Sequence, residues 1–306
     1  MASKVELAAR LADLASAGAL SVAPYLRRVA RTISSYETKR DLHDPVTVHD
    51  RAVEADLRRF FGRAIPGSRL LGEEMGEEVL PLEPASTDPS QGGEATPADP
   101  ELARLGARVR WLVDPIDGTA NFASGSTYFG TSVAAELDGK VVAGAITIPY
   151  TGELFAADLE RAWHVDREGR ITELHSRGPR AENGALLVSY YPNRRTLLVE
   201  PDLALRHLTD LTTNYMVVRR TGASALDLAM VAAGWEGALL GMSFGPWDVA
   251  AGIHLVKVAG GHVVNLSTGA DLPDGLRPAL LATVGTMEAP VAERVLREYV
   301  ATLTNS

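Results

Sequence analysis

The sequence predicts an α/β protein built of stacked sheets and helices, and three patterns predict it. Two amphipathic helical segments open the chain. A series of short, β-leaning apolar segments with turn-like breaks follows from Val109. Strand-like and helix-like segments then alternate to the C-terminus. Together they give two layered halves, residues 1–183 and 184–306. The first is an antiparallel sheet with two helices, the second a mixed α/β sheet, and the break falls near 180–186.

Residues 1–32 carry Val5, Leu7, Leu11, Leu14, Leu20 and Val22 at helical spacing. Acids and arginines interrupt them, so the segment is neither a secretory signal nor a membrane span but a helix lying on a core. Residues 49–65 repeat the pattern, with Val53, Leu57, Phe60, Phe61 and Ala64 on one face. Residues 80–107 break it: Pro81, Pro84, Pro89, Pro97 and Pro100 stand among Ser, Thr, Gly, Glu and Asp. That composition reads as a mobile, solvated surface insertion rather than an element.

Val109, Trp111 and Val113 alternate as in a strand. Segments 132–137, 141–148, 154–157 and 162–165 follow, separated by short breaks such as Asp138-Gly139, the spacing of an antiparallel meander. The second half reads strand 185–190, helix 200–213, strand 216–220, helix 222–234, strand 236–241, helix 246–259, strands 262–265 and 279–284, and helix 288–302.

Composition narrows the function. At 306 residues the chain buries one large core or two modest ones. Its 46% hydrophobic and 23% charged residues are ordinary for a globular protein. A formal charge of −9 argues against a nucleic-acid partner, which expects a basic face. The absence of cysteine excludes disulfides, thiolate metal sites and a cysteine nucleophile, and fits a reducing compartment. No segment approaches a membrane span, so no membrane partner is expected and a cytoplasmic location is the default. Nucleophile-elbow, Walker and dinucleotide fingerprints are missing.

Chemistry concentrates in Trp111-Leu-Val-Asp-Pro-Ile-Asp-Gly-Thr-Ala-Asn-Phe122. Asp114 and Asp117 follow an apolar run and flank a proline, which lacks a ladder donor and restricts its predecessor. This predicts a tight turn at a strand end. Carboxylates so crowded repel unless a hard cation lies between them, so the segment reads as a Mg²⁺ site that handles phosphate. The same letters also suit a plain surface turn. Three further motifs tip the balance: Leu71-Gly72-Glu73-Glu74, Asp44-Pro45-Val46-Thr47-Val48-His49-Asp50, and Pro246-Trp247-Asp248-Val249-Ala250-Ala251-Gly252.

In this order, from about Lys39 to about Gly261, the four motifs resemble the inositol monophosphatase family of Mg²⁺-dependent, lithium-sensitive sugar and cyclitol phosphatases. The resemblance implies a five-layered α-β-α-β-α sandwich with a metal cleft between the halves. It implies two or three Mg²⁺ ions: a first on Glu73, Asp114 and the Ile116 carbonyl, a second on Asp114, Asp117 and Asp248, and a weaker one leaning on Glu73 toward Asp50. Thr119 and Glu73 would position the attacking water, Asp50 would hold the Thr119 hydroxyl, and Lys39 would add a cation nearby. Asp117, Gly118, Thr119, Gly222, Ala223, Ser224 and Asp248 would contact substrate. A homodimer acting on a small phosphate ester follows from the same resemblance.

One position departs from the pattern. Gly241 stands where inositol phosphatases carry an acid that grips ring hydroxyls. The ester is therefore open among cyclitol, sugar, histidinol and nucleotide phosphates, with inositol 1-phosphate and histidinol phosphate as specific alternatives. A catalytically idle relative that works by binding a partner is the competing class. Among other residues, Asp227 reads as a solvated or helix-internal acid and Trp247 as packing that clamps Asp248. His43 and His49 read as lining the entrance, and the remaining histidines as structural or solvated.

Overall fold

The computed structural model describes residues 2–31, 37–38, 45–81, 99–266 and 279–304. The first helix, α1 (Lys4–Val29), opens on a capping box between Ser3 and Glu6. It buries Leu7, Leu11, Leu14, Val22 and Leu26 and leaves Val5 and Leu20 exposed. Two short strands, β1 (Glu37–Thr38) and β2 (Pro45–Val46), pair antiparallel. Next comes α2 (Val48–Ala64), capped by Thr47, with Asp50 closing its capping box.

The first sheet contains β3 (Arg69–Gly72), β4 (Gly76–Val79), β5 (Val109–Asp117), β6 (Gly130–Leu137), β7 (Lys140–Ile148), β8 (Glu153–Ala157), β9 (Ala162–Val165) and β10 (Ile171–Glu173), in the order β10-β9-β8-β7-β6-β5-β3-β4. The meander from β5 to β10 is antiparallel, as the spacing predicts. The sheet is not wholly antiparallel, because β3 runs parallel to β5. The sequence reading misses β3 and β4. Each has four residues, and β4 is a fully exposed Gly-Glu-Glu-Val with no apolar alternation.

Within the proline-rich stretch, residues 82–98 lie outside the described residues. The stretch is not all solvated: Leu80 is buried, and α3 (Pro100–Ala103) with the 3₁₀ turn Gly106–Arg108 leads into β5. Leu102 and Leu105 join the core under α1, while Asp99 caps α3 and pairs with Arg10. An Asp-Pro-Glu-Leu string is an N-cap followed by proline at the first helical position, a signal that the proline count obscures.

Between β5 and β6 lies α4 (Thr119–Ala123). The second sheet contains β11 (Leu186–Ser189), β12 (Val217–Arg219), β13 (Ala238–Met242), β14 (His262–Leu266) and β15 (Ala279–Thr283), in the order β12-β11-β13-β15-β14. It is mixed, with β11 parallel to β12 and β13, and β15 antiparallel to both neighbours. Its helices are α5 (Arg194–Val199), α6 (Pro201–Asn214), α7 (Ser224–Ala233), α8 (Pro246–Val258) and α9 (Pro290–Thr304).

Packing gives the five layers. Helices α1 and α2 cover one face of the first sheet, α7 and α8 fill the space between the sheets, and α6 and α9 cover the far face of the second. The middle layer explains why β6 and β13 are buried along their whole length instead of alternating: each sheet is covered on both faces. It also demands small residues. Gly252 of α8 lies so close to Leu228 of α7 that a Cβ would overlap that side chain. The N-termini of α7 and α8 and the ends of β3 and β5 meet at one place, and the candidate residues gather there.

Candidate active site

The site begins at the end of β5. Proline does not stop this strand: β5 runs through Pro115 to Asp117, correcting the expected turn. Its pairing with β6 shifts register between Asp114 and Asp117, a bulge that absorbs the missing N–H. Around the bulge, Thr131 donates to the Pro115 carbonyl at 2.9 Å and the Ile116 N–H donates to Asp114 Oδ1 at 3.0 Å. Gly118 follows with φ 86°, a left-handed conformation that favours glycine. A side chain there would also press on Ala223 Cβ at 3.0 Å and the Gly222 carbonyl at 3.2 Å. Gly118, Thr119, Gly222, Ala223 and Ser224 are therefore neighbours.

Glu73 follows β3, and its N–H donates to the Val113 carbonyl at 3.3 Å, one residue before Asp114. Asp248 sits in the first turn of α8 behind Pro246, with Oδ2 accepting the Gly245 N–H at 2.7 Å. Trp247 lies over Gly245, where its indole leaves no room for a Cβ. Glu73, Asp114 and Asp248, from three separate elements, each offer one carboxylate oxygen within 4.8 Å of the others. Asp117 faces differently: its Oδ2 accepts the Ala225 N–H at 3.0 Å and the Leu226 N–H at 3.2 Å, at the N-terminus of α7.

Thr119 Oγ1 lies 3.0 Å from Asp50 Oδ1 and 3.0 Å from the Ile116 carbonyl. Asp50 is fully buried, and its Oδ2 accepts the Thr47 N–H at 2.8 Å and the Thr47 hydroxyl at 2.6 Å. Lys39 and His43 lie outside the described residues. His49 bonds the Tyr25 hydroxyl at 2.7 Å and meets the Phe122 ring edge-on.

Electrostatics single out the same cluster. Burial, then the charges of Glu73, Asp117 and Asp248, pushes the Asp114 carboxyl well above its ordinary range. Asp117 is also pushed well up, by burial and then by Asp227, while the Leu226 and Ala225 N–H groups pull it down. Carboxylates gathered at such cost ionise readily only beside a cation. An all-oxygen set suits a hard divalent ion, so the residues fit the Mg²⁺ that the sequence reading expects.

Other residues sharpen the site. Asp227 is not solvated. It is fully buried and accepts hydroxyl protons from Tyr128 at 2.7 Å, Tyr190 at 2.6 Å and Thr221 at 2.6 Å. Thr221 is six residues away, but the two tyrosines stand on distant segments, so the sequence around Asp227 does not reveal them. Asn121 Nδ2 bridges the Tyr128 carbonyl at 2.8 Å and the Thr221 carbonyl at 2.9 Å, tying the 222–224 loop to the first half. At Gly241, a Cβ would overlap the Phe244 ring and press on Tyr190 Cβ at 3.1 Å, so an aromatic side chain fills that space.

Residues 6–305 match the model of the inositol monophosphatase family. The chain is similar to a Pseudomonas aeruginosa protein named Nus factor SuhB, 32% identical over 74% of this chain and 73% of that one. It is similar to Inositol-1-monophosphatase SuhB of Mycobacterium tuberculosis, 34% identical over 74% of this chain and 69% of that one. The solved structure of Mycobacterium tuberculosis SuhB superposes with a TM-score of 0.67 at 27% identity, covering 96% of this chain and 97% of that one. The match of sequence and fold along the whole length gives one conclusion: the chain belongs to the inositol monophosphatase family.

Proposed function

We propose that the protein is a Mg²⁺-dependent phosphomonoesterase that cleaves a small phosphate ester with an activated water. The observation that carries this reading is the meeting of Glu73, Asp114 and Asp248 oxygens beside the Thr119–Asp50 pair. On this reading residues 1–183 contribute Glu73, Asp114, Asp117 and Thr119, and residues 184–306 contribute Asp248 and the 222–224 loop.

A phosphate monoester is a dianion at neutral pH and repels an attacking oxygen, so its hydrolysis is mostly an electrostatic problem. Mg²⁺ held by Glu73, Asp114, Asp117, Asp248 and the Ile116 carbonyl supplies Lewis acidity to the phosphate oxygens and lowers the pKa of water. The chain's own groups do the positioning. With the Thr119 proton directed to Asp50, the lone pairs of Oγ1 are left to accept from water. A water donating to Thr119 and Glu73 is oriented for attack and has a carboxylate to receive its proton. The amides of Gly118, Thr119 and Ala120 lie at the head of α4, suited to phosphate oxygens. Gly222, Ala223 and Ser224, packed against Gly118, border the organic part of the ester.

The aromatic filling beside Gly241 supports an ester that needs no carboxylate grip there. The test is phosphate release from inositol 1-phosphate, histidinol phosphate, fructose 1,6-bisphosphate and adenosine 3′,5′-bisphosphate, with and without Mg²⁺. Release from at least one ester, only with Mg²⁺ and lost in Asp114→Asn, is expected. No release from any of them at any Mg²⁺ concentration overturns the reading. A homodimer belongs to the same proposal and is measured by sedimentation.

The name Nus factor borne by the Pseudomonas aeruginosa relative favours a second reading, a binding or regulatory protein on the same fold. Under it, Asp114→Asn complements a deletion strain although it hydrolyses nothing. Loss of complementation together with activity speaks for the enzyme.

A further inference from the structure

Glu54 is a fully buried carboxylate of α2 with no part in the chemistry described above. Its Oε2 accepts the Glu74 N–H at 2.8 Å, and its Oε1 accepts the Met75 N–H at 3.1 Å. On the other side of Glu73, the carboxyl lies directly under Gly72, where any Cβ would overlap it. One buried carboxylate thus touches the backbone both before and after Glu73. Arg58, one helical turn further along α2, donates to Glu54 Oε1 at 2.6 Å and to the Gly76 carbonyl at 2.7 Å, closing the same turn.

We propose that Glu54 is a positioning residue for Glu73: by gripping the Gly72–Met75 backbone it sets where the Glu73 carboxylate stands relative to Asp114 and Asp248. This rests on the reading of those three as a metal centre. The acid one turn earlier on α2, Asp50, holds Thr119 at 3.0 Å. Asp50 and Glu54 are i and i+4 on one helix face, so α2 fixes both groups that orient the attacking water. Gly72 in the Gly-Glu-Glu motif then has a physical reason, since only glycine lets the turn settle onto the Glu54 carboxylate.

A buried acid could instead serve only the fold, so the test separates the two. Mn²⁺ binding to the full chain is titrated by calorimetry for the wild type, Glu73→Gln, Glu54→Gln and the double variant, with Val53→Ala as a control that destabilises the same helix. Glu54→Gln is expected to weaken Mn²⁺ binding roughly 10- to 100-fold, the usual cost of losing a group that orients a ligand. In the Glu73→Gln background it adds less than about twofold, because its effect runs through Glu73. Val53→Ala lowers the melting temperature and leaves Mn²⁺ affinity unchanged. A folded Glu54→Gln protein with wild-type affinity overturns the proposal, as does an equal loss in both backgrounds. If Glu54→Gln does not fold, Gly72→Ala, which pushes on the same carboxylate, is read in the same way. A wild type that binds no Mn²⁺ overturns the metal centre itself, a separate failure visible before any variant is made.

Discussion

Thr119 Oγ1 lies 3.0 Å from Asp50 Oδ1, across 69 residues of sequence. The contact joins the cap of α2 to the first residue of α4, and neither group is at the surface. On the proposed reading it turns a capping acid into part of the active site. Asp50→Asn keeps the size of the side chain but weakens the acceptor for the Thr119 proton. We expect kcat to fall on the order of 100-fold, while the lost cap costs about 1 kcal/mol of stability. Steady-state kinetics beside a denaturant melt decides it: a variant with unchanged kcat and only a lower melting point makes Asp50 a cap and nothing more.

On the proposed reading, metal binding registers in stability as well as in turnover. A ligand that binds only the folded state stabilises it by about 3 kcal/mol at a hundredfold excess over Kd. Wild-type protein is expected to melt at higher temperature in Mg²⁺ than in EDTA, and Asp114→Asn to lose most of that gain. In EDTA the order reverses, with Asp114→Asn melting above wild type, because it removes a buried carboxylate from a cluster of mutually repelling acids. Differential scanning calorimetry measures both. Equal melting in Mg²⁺ and EDTA for the wild type contradicts the site.

The sequence carried the regular parts of this picture and missed those that depend on distant partners. Helix α8 was legible because Pro246 opens it and Gly260 follows it, and the meander because its breaks are short turn strings. The acids of the four motifs were legible because their residue types declare chemistry. The strand β3 was not, since four residues carry no period. Nor was the bulge at Pro115, where Thr131 of β6 donates to the proline carbonyl. The contacts of Glu54 with Glu74 and Met75, and of Asp227 with Tyr128 and Tyr190, were hidden for the same reason, as those partners lie on segments that only the fold brings near.

Asp227 gives the fold a pH dependence with a defined sign. Burial pushes its carboxyl up to about 6 from an unfolded value near 3.8, although three hydroxyls pull it back. The folded state therefore holds this proton more tightly than the unfolded chain. The stabilisation is complete below pH 3.8 and is lost as pH rises through about 6. The two values differ by roughly 3 kcal/mol of linkage. Glu236, pushed up to about 8 by burial and then by the Asp227 charge, slopes the same way at higher pH. Asp227→Asn should flatten the stability profile between pH 4 and 6. Urea melts at half-unit steps test this, and an unchanged slope would mean that Asp227 ionises as freely folded as unfolded.

Gly241 and Phe244 make the substrate question a packing question. A Cβ at 241 overlaps the Phe244 ring, which also meets Tyr190 edge-on at 5.5 Å between centroids. Gly241→Ala alone should cost about 1–3 kcal/mol through overpacking. In a Phe244→Ala background the same change should cost much less, because the ring it strikes is gone, and this coupling is the signature of direct contact. An equal cost in both backgrounds would place the strain elsewhere, in the β13 backbone or against Tyr190. The paired change Gly241→Glu with Phe244→Ala then puts a carboxylate where the family resemblance expects one to grip ring hydroxyls. It should raise the ratio of kcat/KM for inositol 1-phosphate over histidinol phosphate relative to Phe244→Ala alone. A ratio that stays put would show that position 241 does not face the organic part of the ester, and that selectivity rests on the loop at 222–224.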